Sequence, residues 1–197
     1  MKLVIQIPCY NEEKSLPVTL KELPKHIDGI DEIEVLIIDD GSKDKTVEVA
    51  KELGVKNFVE MPHNSGLAKA FVAGLNKALS IDADIIVNTD ADNQYCADDI
   101  EKLVKPILDG DADIVIGSRP VSEIEHFSPL KKLLQKLGSW VMRILSSTKV
   151  EDAPSGFRAF SRNAAIQLNV FDNYTYTLDT IIQAKAKGLI LKCVPIR

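Results

Sequence analysis

The sequence predicts an α/β fold: a mostly parallel sheet with helices on both faces. Short runs rich in Val and Ile recur at residues 2–7, 33–38, 56–61, 85–89 and 114–116, each bounded by polar residues, as buried strands are. Stretches of helical periodicity separate them, and strands alternating with helices imply crossover connections between parallel neighbours. The 197 residues, 45% of them hydrophobic, are one domain's worth and enough to enclose a core without disulfide staples.

Taken in order, the first strand begins at Lys2 with no signal-peptide layout before it. A helix is expected next, with Ser15 as its cap and Pro17 in its first turn, where a missing N–H costs little. Further helices are expected over 46–53, 67–79 and 97–108. The last has Asp98 and Asp99 near its start, where carboxylates suit the helix dipole. No internal repeat, low-complexity tract or linker interrupts the series. The rhythm breaks after Arg119. Residues 120–128 read as a polar loop, and Leu130, Leu133, Leu134, Leu137, Val141, Ile144 and Leu145 then fall on one helical stripe. Lys131, Lys132, Lys136 and Arg143 lie off that stripe, and residues 119–149 hold six basic and two acidic side chains. Two readings are open: a surface helix packed on its own domain, and a helix that meets lipid, whether resting on anionic headgroups or as a lid over a phosphorylated lipid.

Charge and cysteine content exclude several classes. Lys and Arg number 24 against 29 Asp and Glu, a net charge of −5, which argues against a general nucleic-acid binder. No apolar run reaches the length of about 18 that marks a membrane span. Cys9, Cys96 and Cys193 are odd in number and far apart, which suits free thiols in a reducing cytoplasm rather than a disulfide framework or zinc site.

Position relative to strand direction sorts the carboxylates. Ligands of open α/β sheets bind beyond the carboxyl ends of the strands. Asp31, Glu32, Asp82, Asp84, Asp111 and Asp113 precede strands and belong to the opposite edge, as solvating groups. Pro8 to Glu12 follow the first strand, Asp39 and Asp40 the second, Asp90 and Asp92 the fourth, and Gly117-Ser118-Arg119 the fifth. These clusters would gather at one rim. Asp90-Ala91-Asp92 sets two carboxylates two residues apart, able to face one way in an extended segment. Mg²⁺ or Mn²⁺ takes such hard oxygen ligands with water and substrate phosphates. Turn-forming or helix-capping aspartates are the alternative.

These segments together resemble the inverting family-2 glycosyltransferases with the GT-A fold, closest to the polyprenyl-phosphate branch that includes dolichol-phosphate mannose synthases. The resemblance runs from Ile7-Pro8-Cys9-Tyr10-Asn11-Glu12-Glu13 through Ile37-Ile38-Asp39-Asp40-Gly41-Ser42 and His63-Asn64-Ser65-Gly66. It continues in Asp90-Ala91-Asp92-Asn93-Gln94, Gly117-Ser118-Arg119 and Ser155-Gly156-Phe157-Arg158, and closes on Val194-Pro195-Ile196. It spans nearly the whole chain, taken as a single domain of residues 1–197 in which 119–149 is a variable acceptor-side segment, membrane-facing in one of the two readings above.

The resemblance implies a glycosyltransferase that moves a sugar from a UDP- or GDP-sugar to a polyprenyl phosphate, with Mg²⁺ or Mn²⁺ as cofactor. By the same likeness Pro8, Tyr10, Glu12, Ile37 and Asp39 would hold the nucleotide, with Asp90, Ala91, Asp92 and Arg119 on the sugar diphosphate. Asp90, Asp92 and Gln94 would form the metal site. Arg119, Ser155, Gly156 and Arg158 would meet the acceptor, with Arg158 pairing its phosphate. A free helix start at Gly66 would favour an anion. Asp179 is the candidate base beside Asp92, although many relatives carry Glu or Glu-Asp there. Relatives usually continue after Val-Pro-Ile with a basic, glycine-containing segment and often membrane helices, whereas this chain stops at Arg197. A cytoplasmic enzyme, peripheral at the membrane face, is expected. The runner-up is transfer to a sugar hydroxyl, and from other classes a non-catalytic nucleotide-sugar binder or a signalling module. A dinucleotide dehydrogenase is excluded, because no Gly-x-Gly-x-x-Gly follows the first strand.

Overall fold

The computed structural model describes residues 1–119, 150, 152–170 and 175–197. The expected helix over 130–145 lies outside the described residues. The chain runs β1 (Lys2–Cys9), α1 (Leu16–Glu22), β2 (Glu32–Asp39), α2 (Thr46–Glu52), β3 (Asn57–Glu60), α3 (Leu67–Ser80) and β4 (Ile85–Asn88). It continues with a 3₁₀ turn (Ala97–Asp99), α4 (Ile100–Leu108) and β5 (Ile114–Ser118). After the undescribed stretch come β6 (Arg158–Ser161), α5 (Arg162–Gln167), α6 (Thr177–Ala186) and β7 (Leu191–Pro195).

The seven strands form one sheet in the order β3-β2-β1-β4-β6-β5-β7. All neighbours are parallel except β6, which runs antiparallel between β4 and β5. Alternation along β1 builds a core on each face. Leu3, Ile5 and Ile7 pack with Leu16, Leu103 and Val104 on the side of α1 and α4. Val4 packs with Phe71, Leu75 and Ile181 on the side of α3 and α6. Because side chains point to opposite faces with a period of two, β1 and β4 are buried from both sides, and that is why they read as near-continuous apolar runs. Among the described residues, no helix is long and apolar enough to cross a membrane.

The connections from β1 leave towards β2 on one side, while β4 lies on the other. A crevice therefore opens beyond the carboxyl ends of β1 and β4, the place where open α/β sheets take ligands. The acidic residues of the opposite edge serve the fold. Asp84 accepts the N–H of Lys2 (2.7 Å), and Asp113 accepts that of Ile190 (2.9 Å). Two expectations change. Ser15 makes no cap hydrogen bond to α1; its hydroxyl turns back to the Glu12 carboxylate. The helix expected over 97–108 divides into the 3₁₀ turn and α4.

Candidate active site

The loops after β1, β2, β3 and β4 surround an open cleft of about 470 Å³. Pro8, Tyr10 and Glu12 line one side, Asp90, Ala91 and Asp92 the floor, and Asn64, Gly66 and Leu67 the side of α3. The ring of Tyr10 is 42% exposed, so it offers a stacking face.

Hydrogen bonds between the first two loops hold this wall. The N–H groups of Asn11, Glu12 and Glu13 donate to Ser42 Oγ (2.9 Å), Thr46 Oγ1 (2.8 Å) and Asp44 Oδ2 (3.1 Å). In return, the N–H groups of Lys43 and Lys45 donate to Asn11 Oδ1 (2.8 Å) and Glu13 Oε2 (3.0 Å). The two adjacent aspartates after β2 do different work. Asp39 is buried and accepts the Ser42 N–H at 3.3 and 3.2 Å. Asp40 lines the cleft and accepts the N–H groups of Ser65 (2.7 Å) and Gly66 (2.9 Å). The Gly66 N–H expected to face a ligand anion is therefore taken by Asp40. Gly41, at φ +76°, lets the two loops meet: a Cβ there would lie 2.6 Å from the His63 carbonyl carbon.

The two carboxylates of the acidic pair sit in different surroundings. Burial pushes the Asp90 carboxyl up to about 6; the Asp92 charge adds to this, and Arg119 opposes it. Asp92 is exposed and accepts the Gln94 N–H at 3.2 Å. A half-buried carboxylate beside a second one is under-compensated, and a divalent ion would supply the missing charge. Asp90 and Asp92 therefore fit Mg²⁺ or Mn²⁺, which usually takes only one or two carboxylates. Among the described residues no third acidic, His or Cys ligand joins them. Gln94 is exposed and does not line the cleft.

The remaining candidates are placed differently from the expectation. Ile37 is fully buried in the core and its backbone is paired within the β1–β2 ladder, so its side chain cannot meet a nucleotide. Arg119 spends Nε (2.7 Å) and Nη2 (3.2 Å) on Asp152, whose side chain is fully buried. Burial works against the Arg119 charge, but the bonds to Asp152 outweigh it and raise its pKa. The guanidinium lies 5.8 Å from the centroid of the Tyr95 ring. Arg158, expected on an acceptor phosphate, is fully buried behind the rim. It donates to the carbonyls of Ser155 (2.7 Å), Thr177 (2.8 Å) and Ala153 (2.7 Å) and to Thr180 Oγ1 (2.7 Å). Its place is to fold the 153–155 turn against α6. Ser155 is buried too, while Gly156 is half-buried beside Asp90. Asp179 sits in the first turn of α6, accepts from Gln183 Nε2 (2.8 Å) and does not line the cleft.

Sequence reasoning missed Asp152, Asn88, Tyr95 and Tyr176. Asp152 carries a weak signal, an acid shortly before Ser155-Gly156-Phe157-Arg158. The other three show their part only through contacts in space.

Comparison with known proteins bears on the family and the fold. The family profile described as "Glycosyl transferase family 2" matches residues 4–173. The chain is 35% identical to a UDP-N-acetylglucosamine–dolichyl-phosphate N-acetylglucosaminyltransferase of Methanococcus voltae, over 97% of this chain and 83% of that protein. It is 30% identical to an undecaprenyl-phosphate mannosyltransferase of Micrococcus luteus, over 100% of this chain and 83% of that one. Among solved structures it resembles glucosyl-3-phosphoglycerate synthase of Mycobacterium tuberculosis in complex with Mn²⁺, uridine diphosphate and phosphoglyceric acid. The TM-score is 0.76 at 21% identity, over 98% of this chain and 68% of that one. That likeness shows a common GT-A fold.

Proposed function

The chain belongs to glycosyl transferase family 2 and is a glycosyltransferase, and from that premise we propose that it transfers a sugar from a UDP- or GDP-sugar to a polyprenyl phosphate. The observation that carries this reading is the likeness, along almost the whole chain, to enzymes named for transfer to dolichyl or undecaprenyl phosphate. The cleft supports it chemically. It combines an exposed aromatic face, carboxylates able to accept from base and ribose donors, and an acidic pair suited to a divalent ion.

In this reading Tyr10, Glu12 and Pro8 hold the nucleoside, and Asp90 and Asp92 hold the cation. Bound Mg²⁺ or Mn²⁺ would act as a Lewis acid on the diphosphate and neutralise charge on the departing nucleotide. A phosphate oxygen of the acceptor attacks the anomeric carbon from the face opposite the diphosphate. The bond from that carbon to the β-phosphate oxygen breaks, the nucleoside diphosphate leaves with the electron pair, and the anomeric configuration inverts. A phosphate monoester has a second pKa near 6, so this nucleophile needs no strong base. The Arg119 guanidinium, oriented by Asp152 next to Tyr95, supplies positive charge near the incoming phosphate.

A thermal-shift screen of UDP, GDP and their sugars, with and without Mn²⁺, tests the donor half. Stabilisation by one nucleotide series that requires the metal is expected. No nucleotide response in Mn²⁺ would refute the donor assignment.

A further inference from the structure

A single peptide, that of Gly156, is gripped by three side chains from the elements around the cation-fitting carboxylates. Its carbonyl accepts from Asn88 Nδ2 (3.1 Å), at the end of β4, and from the Tyr176 hydroxyl (3.0 Å), just before α6. Its N–H donates to the Tyr95 hydroxyl (3.3 Å), in the segment that follows Asp92. Asn88 Nδ2 also donates to Tyr176 Oη at 2.9 Å, and Asn88 Oδ1 accepts from Gln6 Nε2 at 2.9 Å. A methyl group on Gly156 would lie 3.5 Å from both Asp90 carboxylate oxygens and 3.2 Å from the Tyr176 hydroxyl. The Gly156 backbone thus lies within one methyl group's contact distance of the Asp90 carboxylate, and a Cβ there would press on the Tyr176 hydroxyl that holds the peptide. Tyr176 is fully buried and stacks on Phe71, with ring centroids 3.8 Å apart and an interplanar angle of 5°.

We propose that Gly156 and Tyr176 are positioning residues for the Asp90 carboxylate: the Gly156 peptide, locked by Asn88, Tyr95 and Tyr176, is the floor that sets how Asp90 faces the cleft. This rests on the reading of Asp90 and Asp92 as the cation site. It explains a feature the transfer reaction leaves unused, the buried Gln6–Asn88–Tyr176 chain that ends on the Gly156 carbonyl. Partners in the outer shell of a metal site typically contribute 10–100-fold in affinity, so loss of the floor should appear in metal binding itself, before any chemistry.

Binding of Mn²⁺ in the presence of UDP, measured by electron paramagnetic resonance on the full chain, tests this directly. Gly156→Ala and Tyr176→Phe should each weaken Mn²⁺ binding by about tenfold or more. Tyr176→Phe keeps the ring on Phe71 but loses the buried hydroxyl's bonds to Asn88 and Gly156, so its melting temperature should fall by only a few degrees. Phe71→Leu serves as the control: it removes the stack, keeps the hydroxyl, and should lower the melting temperature while Mn²⁺ affinity stays near that of the parent. Parent-like Mn²⁺ affinity in both Gly156→Ala and Tyr176→Phe, with binding lost in Asp92→Ala, overturns this inference and leaves the cation site standing. An equal loss of affinity in Phe71→Leu and Tyr176→Phe also overturns it, since binding would then follow packing alone. If the parent binds no Mn²⁺ with UDP, the cation-site reading fails and this inference falls with it.

Discussion

Asp90→Asn should stabilise the metal-free protein above neutral pH. Burial and the Asp92 charge hold the Asp90 carboxyl at about 6, against an ordinary 3.8. The folded state thus retains a proton that the unfolded chain has released between those values. The stability associated with neutral Asp90 is fully present below 3.8 and is lost as pH rises through about 6. At about 1.4 kcal/mol per tenfold, the complete loss is about 3 kcal/mol at pH 8. At pH 4.5 only about 1 kcal/mol of it has gone. Asparagine keeps the shape without the charge. With EDTA present, urea unfolding should therefore find Asp90→Asn more stable than the parent by about 2–3 kcal/mol at pH 8 and by about 1 kcal/mol at pH 4.5. Saturating Mn²⁺ with UDP should reverse the order, because only the parent gains from the ion. Equal stability of the two proteins at pH 8, or an advantage that does not depend on pH, would refute the claim that Asp90 is an under-compensated carboxylate.

Other expectations follow from single contacts. Asp92→Ala should abolish metal-dependent nucleotide binding, read by calorimetry, while circular dichroism and melting stay near the parent, since Asp92 is exposed. Arg119→Ala removes two side-chain hydrogen bonds to the fully buried Asp152 and should cost about 1–3 kcal/mol in urea unfolding; unchanged stability would mean that the other partners of Asp152 carry its charge. Gly41→Ala combines φ +76° with a Cβ 2.6 Å from His63, and should lower stability by more than about 1 kcal/mol and weaken nucleotide binding by displacing the 63–66 loop. Asp179→Asn should leave transfer to a lipid phosphate within about tenfold, whereas a loss of about 10²–10⁴ would make Asp179 a general base and point to a hydroxyl acceptor.

The parallel strands β1, β4 and β5 are legible because burial from both faces demands Val and Ile runs, and β2 through its buried second half; the edge strand β3 is only partly buried and shows itself by its place between helices. The later strands are not. β6 opens with Arg158, a residue that reads as surface but is here enclosed by three carbonyls and a threonine hydroxyl. β7 carries Lys192 and ends in Pro195, composition that suits an edge strand and carries little strand signal. The antiparallel insertion of β6 between β4 and β5 is a long-range pairing that local patterns do not record. The rim of the site is legible for a topological reason: residues after parallel strands must meet at one end, and Pro8, Glu12, Asp90 and Asp92 do. Which member of each motif faces the cleft is a matter of burial. Ile37 and Arg158 lie in motifs yet point inward, while Asp152 lies outside the motifs and orients Arg119.

Transfer of labelled sugar into an organic-extractable polyprenyl phosphate product, by the purified chain with Mn²⁺ or Mg²⁺ and a panel of UDP- and GDP-sugars, tests the central claim most directly. A single donor series should label the lipid phosphate with inverted anomeric configuration, and Asp92→Ala should abolish the label. Label appearing only on a sugar hydroxyl, or passing to the lipid equally well with Asp92→Ala, would contradict it.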